Sequence, residues 1–286
     1  MALKLAAWNV EGRLSPRTSG RRGSPTHILA GIRRLDADVV VLPEAYYETI
    51  APGVDDALHR LGYHWHDARY DDVALAADEA GRPTEVYLRI LSRLPLENVR
   101  RLRFHDIRTL MCATLTDPST GRQLLMIATH LDDRAESLRM QQVREVAAFI
   151  RAENMPTVML GDFNAIWDGK RARIMRSRSV RRVVRLLPNE WLRSVATRFA
   201  DMASGTTLDY LAAHAGLLDA DPRRRATATP KLYGAEWLPS IRMAQLDHIL
   251  ISDDIVAGRV DIASDGGSDH RAIHTTIQLQ PLDKQG

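Results

Sequence analysis

One cysteine in 286 residues, Cys112, excludes an intrachain disulfide and is compatible with a reducing compartment. No run approaches the ~18 apolar residues of a membrane span. The stretch Met1-Ala2-Leu3-Lys4-Leu5-Ala6-Ala7-Trp8-Asn9 turns polar too soon to be the core of a secretory signal. The expectation is a soluble, cytoplasmic chain with no transmembrane segment. There is no obvious linker or internal repeat, and no low-complexity tract apart from an arginine cluster. The length allows one large α/β domain or two small ones. With nothing to divide it, the chain reads as a single domain over 1–286 with an arginine-rich helical insertion at about 168–200.

What is present is ordinary for a globular protein. Hydrophobic residues make up 45% and charged ones 26%, enough to bury a core. The net charge of +3 conceals an asymmetry. Between Lys170 and Arg198 ten Lys and Arg residues face Glu190 alone, a local +9 on a body that carries −6. A basic segment on a slightly acidic body suits a polyanion, either nucleic acid or an anionic membrane surface, although a solvated arginine-rich helix has the same composition.

Hydrophobic periodicity divides the chain into strands and helices. Leu3 to Val10 alternates as a strand, and Thr26 to Leu35 has helical spacing through Ile28, Leu29, Ile32 and Leu35. Asp38 to Glu44 is an apolar strand ending on an acid. A helix over Asp55 to Leu61 precedes strand-like pieces at Tyr63–His66, Val73–Ala76, Val86–Leu91 and Val99–Phe104. Leu110–Thr116 and Gln123–Thr129 flank a turn and make a hairpin. Arg134 to Ala152 is the clearest helix, with Leu138, Val143, Val146, Ala147 and Ile150 on one face. A strand from Thr157 to Asn164 follows, then the basic region, a helix near Leu208–His214, an irregular stretch from Arg223 to Pro239, and strands at Leu246–Ile251, Arg259–Ala263 and Ala272–Leu279. Apolar strands outnumber helices, which favours sheets covered by helices over an all-β body.

The strand ends carry the chemistry. Asn9, Glu44, His130, Asp162 with Asn164, Asp247, and Asp269 with His270 stand at the ends of the expected strands. Any one of them could simply be where a strand meets its loop. As a set limited to Asn, Asp, Glu and His, they have the composition of an oxygen-ligand metal site with acid–base partners. In Gly161-Asp162-Phe163-Asn164, a carboxylate and an amide two residues apart point the same way, a pattern suited to hydrolysis at phosphorus.

The motifs Trp8-Asn9-Val10, Val41-Leu42-Pro43-Glu44, Ile90-Leu91-Ser92-Arg93-Leu94-Pro95-Leu96, Ala128-Thr129-His130-Leu131, Gly161-Asp162-Phe163-Asn164, Leu246-Asp247-His248-Ile249 and Ser268-Asp269-His270 occur in that order. This ordered set, spread over nearly the whole chain, resembles the endonuclease/exonuclease/phosphatase superfamily. That group includes deoxyribonuclease I, exonuclease III, the neutral sphingomyelinases and the inositol-polyphosphate 5-phosphatases. The resemblance implies a deoxyribonuclease I-like four-layer α/β/β/α sandwich, two packed, mostly antiparallel sheets flanked by helices. It implies Mg2+ or Mn2+ held chiefly by Glu44 with Asn9 and Asp269, a dyad of His270 and Asp247, water activation by Asp162, and Asn164 donating to transition-state oxygens. Whether Asp162 or His270 is the base stays open.

Thr129-His130-Leu131 looks like the deoxyribonuclease I, sphingomyelinase and phosphatase branches rather than the exonuclease III branch. There His130 would act opposite His270, and Glu85, in Glu85-Val86-Tyr87-Leu88, would steady it. Pro43 replaces the Gln common before the metal-binding Glu. Gln245 stands where an Arg is common, leaving Arg242 further back as a candidate substrate contact beside Lys170, Arg171 and Arg173. His27, His64, His105 and His248 fall outside the pattern and read as structural or surface residues, and Trp237 as a packing residue.

The resulting expectation is a metal-dependent phosphodiesterase acting on DNA or another nucleic acid. A phospholipid or phosphoinositide phosphoesterase on an anionic membrane is the alternative, and a catalytically silent binding module the third. No obligate protein partner is implied.

Overall fold

The computed structural model describes residues 2–16, 24–70, 85–104, 108–166, 201–203, 205–228, 245–263 and 266–280, with scattered positions between 177 and 197. Two sheets lie face to face. One holds β1 (Leu3–Ala7), β2 (Val39–Tyr47), β3 (His64–Arg69), β4 (Val86–Ser92), β11 (Ile255–Ala257), β12 (Asp261–Ile262) and β13 (Ile273–Leu279). Its order is β11-β13-β1-β2-β4-β3, with β12 also paired to β13. The other holds β5 (Leu96–Phe104), β6 (Arg108–Thr116), β7 (Gln123–His130), β8 (Thr157–Asp162), β9 (Leu218–Asp219) and β10 (Asp247–Ile251), in the order β5-β6-β7-β8-β10-β9. Only β1–β2 and β7–β8 pair in parallel; the other described ladders are antiparallel.

Strand alternation builds the layers. Leu5, Val41 and Ile90 meet Met126, Leu160 and Ile249 between the sheets. The intervening Val40 and Leu42 pack outward under α1 (Pro25–Leu35) and α2 (Val54–Arg60). Leu125, Ile127 and Met159 pack outward under α3 (Glu136–Glu153) and α4 (Thr206–Ala215). Strands covered on both faces must be apolar throughout, which is why their sequences run without polar interruption. The four-layer sandwich is therefore the one expected.

Local chemistry sets the boundaries. Pro25 opens α1, where its missing N–H costs nothing, and Asp36 closes it in a left-handed conformation with its N–H on the Ile32 carbonyl. In α3 the buried face differs from expectation at its first turns: Arg139 and Gln142 are buried and Leu138 is only partly so. The loop after His130 explains this, because Arg139 Nη1 donates to the Asp132 carbonyl (2.8 Å) and the Asp132 N–H donates to Gln142 Oε1 (3.0 Å). β12 is two residues rather than the Arg259–Ala263 strand, and β9 and β11 are too short for periodicity to reveal. The strand-like piece at Val73–Ala76, most of the 168–200 segment and residues 229–244 lie outside the described residues.

The parallel pairs bring the carboxyl ends of β1, β2, β7 and β8 to one rim. The antiparallel partners β10 and β13 present their amino ends there.

Candidate active site

Register assembles the centre of the site. Asp162 on β8 lies opposite His130 on β7 and opposite Asp247 on β10, so three polar residues sit side by side across three adjacent strands. Gly161 permits it. A Cβ there would fall 2.0 Å from the Thr129 carbonyl oxygen, and φ is +142°. Only glycine allows β8 so close to β7 in that conformation.

Glu44 is aimed by a break in its strand. The β2–β4 register shifts between Leu42 and Tyr46, and Glu44 has φ +46°. A bulge re-aims a side chain where a regular strand could not, and Pro43, which has no N–H for the ladder, sits in that break. Asn164, at φ +47°, is another site residue in the left-handed region. Left-handed non-glycine residues cost about 1–3 kcal/mol each and persist where surrounding contacts enforce them. Here Asn164 N–H bonds Asp162 Oδ1 and Asn164 Nδ2 bonds the Leu131 carbonyl, both at 2.9 Å.

The side chains converge on one oxygen. Asp162 Oδ2 is 3.0 Å from Asn9 Nδ2, 3.6 Å from His130 Nε2 and 3.8 Å from His270 Nε2. Asn9 Nδ2 also donates to Glu44 Oε1 at 3.3 Å, and His130 Nε2 is 3.7 Å from that oxygen. His270 Nδ1 is 2.7 Å from Asp247 Oδ2, the dyad expected from sequence. Long-range bonds hold this geometry. Trp8 Nε1 donates to the His270 carbonyl, Ser268 Oγ donates to the Asn9 carbonyl, and Thr227 Oγ1 accepts from the N–H groups of Leu246 and Asp247.

Burial and charge set the protonation states. Desolvation raises the Asp162 carboxyl to about 6, with Asp247 pushing the same way, against the opposing pull of His270 and the Asn9 bond. Burial alone would lower the His270 pKa. The carboxylates of Asp247 and Asp162 more than offset it, so His270 is held well above its ordinary value as an imidazolium.

Asn9, Glu44, His130, Asp162, Asn164, Asp247 and His270 are thus gathered at one rim, and Asp269 adjoins His270, its Oδ1 3.3 Å from Ser268 Oγ. Glu85 does not steady His130. Its carboxylate is engaged by Arg69 Nη1 and Tyr87 OH, both at 2.7 Å, because β4 leaves it exposed beside that pair. The group on His130 Nδ1 is instead Tyr70 OH, at 3.0 Å. Arg242, Lys170, Arg171 and Arg173 lie outside the described residues.

Tyr70 and Tyr47, whose OH donates to Glu44 Oε2 at 2.8 Å, were missed. Nothing in their sequence context separates them from core tyrosines. His248, read as structural, is fully buried with Nδ1 2.7 Å from Asp219 Oδ2 and Nε2 2.9 Å from the Ala165 carbonyl. Burial lowers its pKa, but the Asp219 charge more than compensates, leaving a charged clamp on the loop after Asn164.

The donor set suits a hard divalent cation. Two carboxylates, Glu44 and Asp162, face the same Asn9 amide group, and a cation between them would relieve their repulsion. The Asn9 amide is oriented by the Glu11 N–H, which donates to its Oδ1 at 3.0 Å, so its nitrogen faces the two carboxylates. Ligand atoms of Asp162, Asp247 and His270 also lie within 4.8 Å of one another and could hold a metal. His270, cationic and bound to Asp247, makes that group the poorer fit.

Solved structures with the same fold cover nearly all of the chain. An endonuclease/exonuclease/phosphatase from Beutenbergia cavernae DSM 12333 has a TM-score of 0.67 at 19% identity, covering 97% of this chain and 71% of that one. The human Nocturnin catalytic domain with bound sulfate gives 0.61 at 16% identity, covering 98% and 95%. A 3' phosphatase, NExo, from Neisseria bound to product DNA hairpin gives 0.57 at 17% identity, covering 98% and 100%. No curated protein matches the chain significantly. The Endonuclease/Exonuclease/phosphatase family profile matches residues 6–270, and the chain belongs to that family of phosphoesterases.

Proposed function

We propose that this protein is a divalent-metal-dependent phosphodiesterase that hydrolyses nucleic acid by in-line attack of water. The observation that carries the reading is the Asp162 carboxylate oxygen held among Asn9 Nδ2, His130 Nε2 and His270 Nε2. With a pKa of about 6, Asp162 is ionised at neutral pH yet basic enough to take a proton from water as its oxygen bonds to phosphorus. His270 already carries its proton, so Asp162 rather than His270 is the base. Asp247 fixes the ring through Nδ1, leaving Nε2–H to donate to phosphoryl oxygens, where charge accumulates. His130 approaches from the other side, oriented by Tyr70, and Asn164 donates to the same oxygens. Mg2+ or Mn2+ held by Glu44 with Asn9 and Asp269 would neutralise the phosphate and stabilise the leaving oxygen. Nucleic acid as substrate is supported by the similar fold of the 3' phosphatase NExo from Neisseria, whose structure is bound to product DNA hairpin.

The test is cleavage of labelled DNA and RNA with Mg2+, against chelator and the variant His270→Ala. Chelation should abolish cleavage, and His270→Ala should lower kcat by about 10^3-fold or more. Cleavage indifferent to both would reject the mechanism.

A further inference from the structure

Beside the converging side chains, on the same rim, is a cavity of about 290 Å³ lined by Arg69 and Tyr87 from one sheet and Arg101, Arg103 and Thr109 from the other. It spans the gap between β3 and β5, which are edge strands on the same side of the sandwich. Arg101 and Arg103, two residues apart on β5, point to the same side of it, and all three arginines are exposed. Arg101 Nη2 is fixed on the Asp67 carbonyl at 2.8 Å, and Arg69 Nη1 on Glu85 at 2.7 Å. Three guanidinium groups thus line the cavity, with the Glu85 carboxylate on Arg69. Its volume is several times the ~30 Å³ share of one water, so it admits a charged group and not only solvent. Arg69 directly precedes Tyr70, whose hydroxyl bonds His130, so the cavity adjoins the catalytic rim.

We propose that this cavity is a subsite for a phosphate that is not cleaved, carried on the nucleic-acid strand that passes His130. The proposal rests on the phosphodiesterase reading. Guanidinium groups match phosphate oxygens with two parallel hydrogen bonds, and three around one cavity suit a repeated anion without reading base sequence. A membrane fits less well. The exposed large apolar side chains among the described residues are Leu186, Leu218 and Val256, and none lines the cavity. Leu218 and Val256 lie on β9 and β11, at the opposite edges of the two sheets.

The experiment compares Arg101→Glu/Arg103→Glu with Arg33→Glu/Arg34→Glu, which makes the same change in net charge on the exposed face of α1. Binding of a terminally labelled oligodeoxynucleotide is followed by anisotropy in chelator, where no hydrolysis occurs, over a salt series. The cavity variant should bind about tenfold more weakly, with the log–log salt slope reduced by about one. The α1 variant should match the unsubstituted protein. With Mg2+, the ratio of kcat/KM for the oligonucleotide to that for bis(p-nitrophenyl) phosphate, which has a single phosphate, should fall in the cavity variant. Equal weakening by both variants, an unchanged slope, or loss of binding to anionic vesicles in place of the oligonucleotide would overturn the subsite. If the unsubstituted protein cleaves neither substrate, the phosphodiesterase reading fails, while the anisotropy comparison still decides the subsite.

Discussion

Gly161→Ala should damage both the fold and the site, and by more than backbone strain alone. The added Cβ would lie 2.0 Å from the Thr129 carbonyl oxygen and 2.9 Å from its carbon, which are backbone atoms of the adjacent strand and cannot rotate away. Relieving such overpacking costs about 1–3 kcal/mol. Holding a non-glycine residue at φ +142° adds about 1–3 kcal/mol. The sum, about 2–6 kcal/mol, lowers Tm by about 4–24 °C if each kcal/mol shifts a domain of this size by about 2–4 °C. Gly62→Ala separates the two contributions, since Gly62 has φ +83° with nothing within 4 Å of the new Cβ and should show the strain cost alone. Moving β7 off β8 also widens the 3.6 Å His130–Asp162 approach, and a misplacement of about 1 Å can cost about 10^2-fold in rate. Thermal and urea melts of both variants, with diester hydrolysis below the melting range, check this. A Gly161→Ala protein melting no lower than Gly62→Ala, with hydrolysis intact, would refute the close approach of β7 and β8.

Asp247→Asn keeps the shape but removes the charge that holds His270 cationic, and kcat should fall by about 10^3–10^4-fold, read by steady-state kinetics. The raised His270 pKa also contributes stability that is fully present below about 6.5 and is lost as pH rises through the elevated value. Urea melts should therefore show the largest deficit of Asp247→Asn on the acid side, and a deficit independent of pH would contradict the pairing. Asp162, raised from 3.8 to about 6, should give a carboxyl-carbon NMR titration inflecting near 6 in metal-free protein. Being protonated below that pH, it should make kcat/KM fall on the acid side, and an inflection near 3.8 would show that the carboxyl is not desolvated.

The layered fold was legible because strands covered on both faces have no polar face to interrupt them. Val39–Leu42, Leu124–Ala128 and Thr157–Leu160 show this in a single line of sequence. Asn9, Glu44 and Asp162 were legible for the complementary reason, that each is the first polar group after an apolar run, whereas Asp247 opens β10 and His270 stands before β13, and both were legible through their motifs. The short strands β9 and β11 were not, because two or three residues carry no period, and their pairing depends on the long strands beside them.

The sequence by itself determined which residue types stand at the strand ends and their order along the chain. Tertiary structure decided which of them meet. Asp162 faces His130 and Asp247 only because Gly161 lets two strands approach, and Glu44 turns toward Asn9 only through a bulge. Tyr70 rather than Glu85 reaches His130, since Tyr70 lies beside the inward-facing Val86 while Glu85, one residue from it, turns outward with Arg69 and Tyr87. Contacts between residues 60 to 262 positions apart, such as Tyr70 with His130 and Trp8 with His270, depend on register and approach distance, which local residue pattern does not encode.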